Sequence, residues 1–100
     1  MSASLSRDGA KLQVRGHIGF AGANVACDQG LALIAAAPGD VVADLADLES
    51  PSSVSVAVLL RWARALAARG NRLSLVNVPE KCRAILAVSG LTEALPEVPA

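Results

Sequence analysis

The stretch Asp44-Leu45-Ala46-Asp47-Leu48-Glu49-Ser50-Pro51-Ser52-Ser53 decides the fold, because it leads from an apolar strand through a serine-rich turn into the longest helix of the chain. From Val54 to Arg69 there is neither Gly nor Pro, and Val56, Leu59, Leu60, Ala63, Leu66 and Ala67 recur with a helical period. Arg61, Arg64, Ala65 and Ala68 fall on the opposite face, so one side can pack while the arginines reach water. Ser53 is placed at the N-cap, with Ser52 as the alternative, because a serine hydroxyl there accepts a hydrogen bond from a free backbone N–H of the first turn. Trp62 lies between the apolar and the arginine faces and fits either the core or a partner contact.

Working outward, Val41-Val42-Ala43-Asp44-Leu45 reads as a central strand, preceded by Pro38-Gly39-Asp40, which stops a first helix running from about Asn24 to Ala37. Val25, Leu31, Ile34 and Ala35 are that helix's expected core residues, and Gly30 is a weak point inside it. Asp8-Gly9 favours a tight hairpin between a strand at Leu5 and a half-buried strand at Lys11–Arg15, where Leu12 and Val14 alternate with polar neighbours. Beyond the second helix, Gly70-Asn71 turns the chain into a strand at Leu73–Val76. Pro79 then opens a third helix with Cys82, Ile85, Leu86 and Ser89 on one face. Leu91 to Leu95 is expected as a short edge strand, with no order expected beyond Pro96. The order predicts a single α/β domain over residues 1–100: a mixed sheet of four to five strands with about three helices packed against it.

Composition narrows the function. Apolar residues make up 53% and charged residues 18% of the 100, a profile that supports a packed core. Nine basic and nine acidic side chains cancel, and no Lys/Arg cluster is interleaved with aromatics, so nucleic acid is not an expected partner. No apolar run approaches the roughly 18 residues of a membrane span, and no secretory leader is present, so a cytoplasmic location is expected. Cys27 and Cys82 stand apart and outside any C-x-x-C spacing, which points to two buried, reduced thiols and no zinc site. The glycines between Gly16 and Gly22 match neither nucleotide-binding pattern, and His17, the only histidine, has no company for acid–base work. The serines and carboxylates around Ser50 lack a base, so no enzymatic activity, cofactor or metal is expected.

The same stretch resembles the STAS domain family, which includes anti-sigma-factor antagonists, transporter-associated domains and the MlaB-like subunits of Mla phospholipid transporters. The resemblance spans almost the whole chain. It is carried by Leu12-Gln13-Val14-Arg15-Gly16 before the first helix, by Asp44-Leu45, by the turn into the second helix, and by Gly70-Asn71 and Gly90-Leu91. In that turn Ser53 takes the position of the family's phosphorylatable or partner-facing Ser/Thr, while Ser52 stands where the family has Asp and Ser55 where it has Gly. A phosphate at Ser53 would add about −1.5 to −2 charge at the positive end of a helix. The short chain and its Gly-Asn turn look closest to MlaB-like subunits. The resemblance implies a non-catalytic subunit, peripherally associated with an inner-membrane complex, that binds the ATPase of an Mla-type ABC transporter in phospholipid trafficking and outer-membrane lipid asymmetry. Its implied docking surface is Ser53 flanked by Ser52 and Ser55, with Arg61, Trp62 and Arg64 at the periphery. The alternative is an anti-sigma-factor antagonist, switched by a kinase-like partner that phosphorylates Ser53.

Overall fold

The computed structural model describes residues 3–99. Its elements are β1 (Ser4–Asp8), β2 (Lys11–Gly16), α1 (Ala23–Ala35), β3 (Val41–Leu48), α2 (Ser53–Ala67), β4 (Leu73–Val76) and α3 (Glu80–Val88). The four strands form one mixed sheet in the order β1-β2-β3-β4, the first pair antiparallel and the others parallel. Gly9, at φ +62°, closes the β1–β2 hairpin opposite the Asp8–Lys11 pair, as the Asp8-Gly9 signal predicts.

Both parallel steps advance in the same direction across the sheet, so right-handed crossovers place α1 and α2 on one face. Burial agrees: Leu12 and Val14 are fully covered, while Lys11 and Arg15 on the other face are exposed. The result is a two-layer molecule with one sheet face under helices and one open.

β3 runs to Leu48, past the predicted end at Leu45, and the reason lies in its sequence. Gln13 pairs with Asp44 and Arg15 with Asp47, so Leu45 and Ala46 together face the single residue Val14 in a β-bulge. The extra residue resets the two-residue alternation. Asp44 and Asp47 therefore both face β2's basic residues on the open side, at 3.2 Å from Lys11 and 3.5 Å from Arg15. Leu45 and Leu48 both enter the core.

The helix faces need correction. In α1 the buried residues are Ala26, Cys27, Gly30 and Ile34; Val25 and Ala35 are exposed and Leu31 is half-buried. A stripe of small residues faces inward because the neighbouring helix brings an indole. In α2 the buried set is Ser55, Val56, Val58, Leu59, Trp62 and Leu66, while Ala67 is exposed. In α3, Cys82 and Leu86 are buried and Ile85 half-buried, but Ser89 is exposed at the C-cap.

The tail also departs from expectation. Residues 92–94 form a turn, and the pairing occurs later: the Leu75 N–H donates to the Pro96 carbonyl and the Val98 N–H to the Leu75 carbonyl, each at 2.8 Å. Arg83 holds Glu97 in a two-pronged ion pair at 2.7 and 2.9 Å. Residues beyond Pro96 thus cover the outer edge of β4, which would otherwise present unpaired backbone groups.

Candidate functional site

The β3–α2 turn begins with Ser50 in the left-handed region, at φ +46°, followed by a buried Pro51. Ser52 is extended, at φ −144° and ψ 176°, and is the N-cap; Ser53 is the first helical residue. The cap expected at Ser53 therefore shifts by one position. Ser55 completes the start of the helix from inside. Its Oγ accepts the Ser52 N–H and its hydroxyl donates to the Ser52 carbonyl, both at 2.8 Å, and the side chain is buried. This closed pair satisfies polar groups that a buried helix start would otherwise leave costly.

Two of the predicted partner contacts are therefore structural. Ser55 is 1% exposed and Trp62 fully buried, its indole N–H donating to the Cys27 carbonyl at 3.1 Å. Neither presents a surface to a partner, which corrects the sequence reading. Ser53, Arg61 and Arg64 are exposed and Ser52 is half-exposed.

Sequence reasoning missed Phe20. It projects from the loop before α1 and is 90% exposed, the most exposed large apolar side chain among the described residues. Phe20, Ala23, Asn24 and Cys27 form one wall of an open groove of about 480 Å³, and Ser53, Val54, Ala57, Val58 and Arg61 form the other. The groove thus runs between the first turns of α1 and α2, with Ser53 at its rim. The signal available was the lone Phe in a glycine-rich loop, which had no periodic pattern to attach it to a core.

Chemistry elsewhere is spare. His17 is half-buried with Nδ1 3.4 Å from the Glu49 carbonyl oxygen, joining the loop after β2 to the end of β3. Cys27 and Cys82 are free and buried, and burial pushes the Cys82 thiol above its usual range, with the Glu97 charge adding to the effect. Among the described residues no cluster of three His, Cys, Asp or Glu side chains is placed to hold a metal ion. None of the described helices is long and apolar enough to cross a membrane.

The structure is thus a two-layer α/β fold with an exposed serine at the head of its second helix, beside an open groove. The chain belongs to the STAS domain family in its MlaB form: the family model described as "Mlab, STAS domain" matches residues 1–97. A chain of the Acinetobacter MlaFEDB complex, in its ATP-bound Vtrans1 conformation, is similar at 30% identity and TM-score 0.79, over 95% of this chain and 100% of that one. The anti-sigma factor antagonist SpoIIAA in its unphosphorylated form aligns at 19% identity and TM-score 0.75, over 96% of this chain and 87% of that one. An anti-sigma-factor antagonist (STAS) domain protein from Planctomyces limnophilus aligns at 16% identity and TM-score 0.76, over 100% and 92%. At those lower identities the likeness is one of fold. No curated protein matches the chain.

Proposed function

We propose that this chain is a non-catalytic, single-domain STAS subunit that docks on the ATPase of an Mla-type ABC transporter, on the cytoplasmic side of the inner membrane, in phospholipid trafficking that maintains outer-membrane lipid asymmetry. The observation that carries this reading is the exposed Ser53 at the head of α2, beside the Phe20–Arg61 groove, in a chain 30% identical to a component of the MlaFEDB complex. Ser53 is central to the docking surface, with Ser52 beside it and Arg61 and Arg64 along the same helix. Ser55 and Trp62 support that surface from beneath.

The test is co-purification with an ABC ATPase from the source cell. Ser53→Glu and Ser53→Arg, both at an exposed position, are expected to abolish capture while leaving the fold intact. Full capture by both folded variants removes the α2 head from the interface.

A second reading, an anti-sigma-factor antagonist, is favoured by one feature: the Ser53 hydroxyl lies outside the closed Ser52–Ser55 pair and is open to a kinase. Against it, Ser52 occupies the place of the acid that flanks the acceptor in regulated members. Incubation with a kinase-like partner and ATP should add one phosphate at Ser53 if this reading holds, and an unmodified Ser53 counts against it.

A further inference from the structure

The groove between α1 and α2 carries a charge pattern as well as an apolar lining. Its walls include Phe20, Ala57 and Val58, and its one charged lining residue is Arg61; no carboxylate lines it. Neither α1 nor α2 has an acidic residue in its first turn, so the positive ends of both helix dipoles meet at the groove without compensation from acidic side chains there. Most of the other basic side chains among the described residues are engaged, Arg72 and Lys81, which lie outside the groove lining, being the exceptions. Lys11, Arg15 and Arg83 each pair with a carboxylate, and Arg69 is bound to backbone carbonyls. Arg61 and Arg64, three residues apart on one helix face, have no carboxylate within ion-pair distance among the described residues.

An apolar trough edged by unneutralised positive charge selects its complement. We infer that the groove takes an acidic amphipathic segment of a partner protein, whose apolar side chains enter between Phe20 and Val58 and whose carboxylate pairs with Arg61. The volume of about 480 Å³ suits one face of a helix, docked through side chains one turn apart. Charge complementarity of this kind sets specificity and the rate of encounter. The groove is concave and carries a single arginine, a poor match to the convex basic surfaces that lie on anionic lipid. This inference rests on the docking surface proposed above and adds the chemistry of what occupies it.

The test uses the full chain carrying the photocrosslinker p-benzoylphenylalanine at Ala57, an exposed groove residue, irradiated in the source cell, with the adduct peptide sequenced by mass spectrometry. The expected adduct is a protein segment with Asp or Glu within about one helical turn of the attachment point, among apolar residues at helical spacing. Arg61→Glu should lower its yield by about tenfold or more, and Lys81→Glu on α3 should leave it unchanged. The same probe at Asn24, on the opposite wall, gives an independent reading from a second variant. A basic or uncharged segment, a lipid or nucleic-acid adduct, or no adduct from either site in the folded protein overturns the inference. An acidic segment from a protein other than an ABC ATPase keeps this inference and removes the transporter reading; an ATPase captured through a segment without acid does the reverse.

Discussion

The Trp62 indole lies directly against Gly30: a Cβ built on Gly30 would sit 2.2 Å from Trp62 Cε2, far inside van der Waals contact. Trp62 is fully buried, and its N–H is held by the Cys27 carbonyl one turn earlier on α1. Ring and glycine together set the separation of α1 and α2, and hence the width of the groove between their first turns.

Gly30→Ala should therefore destabilise the protein although alanine is the better helix former by about 1 kcal/mol. The rigid ring has no solvent to move into, so an overpacking cost of roughly 1–3 kcal/mol should dominate. At about 4–8 °C per kcal/mol for a domain of this size, calorimetry should register a clear fall in Tm. A stabilised Gly30→Ala variant would show that the helices separate freely and that this contact does not fix the groove.

Arg69, beyond the end of α2, donates to the carbonyls of Ile34 at 3.0 Å, Ala37 at 3.3 Å and Gly39 at 2.9 Å. It thereby supplies a cation to the C-terminus of α1, whose own last turn has no basic residue. Arg69→Ala should cost about 1–3 kcal/mol in urea unfolding. Arg69→Lys should recover only part of that, because a single ammonium cannot span three carbonyls. Full recovery by lysine would reduce the role to charge alone.

Much of this fold was legible because the sequence punctuates itself: Asp8-Gly9, Pro38-Gly39, Gly70-Asn71 and Gly90 each end an element where the structure ends one. Errors arose where size competes with position. Val25 and Leu31 are the bulkier candidates in α1, but the buried stripe runs through Ala26 and Gly30 because Trp62, 32 positions later, needs the room. The repeated Asp-Leu of Asp44-Leu45 and Asp47-Leu48 encodes the bulge, yet a strict two-residue alternation hides it. The α2 cap was ambiguous between adjacent serines until Ser55, at the spacing that reaches Ser52, decided it. The groove was not legible, since Phe20 belongs to a loop and meets α2 only through tertiary packing.

Ser53 and Ser55, two residues apart, should separate under alanine substitution. Ser55→Ala removes both hydrogen bonds to Ser52 inside a buried turn and should cost about 0.5–2 kcal/mol. Ser53→Ala, at an exposed position, should stay within about 0.5 kcal/mol of the parent in the same denaturant titration. Equal losses in the two variants would mean that Ser53 also serves the fold, and its assignment to a docking surface would lose its basis.

Acid should unfold the protein partly through Asp44. Burial alone pushes this carboxyl upward, but the Ala46 N–H at 3.0 Å, the Asn77 amide at 3.1 Å and the Lys11 ammonium at 3.2 Å outweigh it and hold its pKa below the ordinary value. A carboxylate depressed in the folded state contributes stability above its unfolded pKa of about 3.9, and that contribution is lost as pH falls through the folded value. Asp44→Asn keeps an oxygen for Ala46 and Asn77 but removes the charge facing Lys11. The variant should be less stable than the parent near neutral pH and should lose less stability as the pH is lowered through the carboxylate range. Asp40, depressed by the Arg72 N–H and the Asn71 amide, and Glu97, depressed by Arg83, leave the variant some acid sensitivity of its own. Parallel acid slopes for parent and Asp44→Asn in urea titrations would show that Asp44 titrates alike in folded and unfolded chains, and the clamp across the β3 bulge would then contribute nothing through its charge.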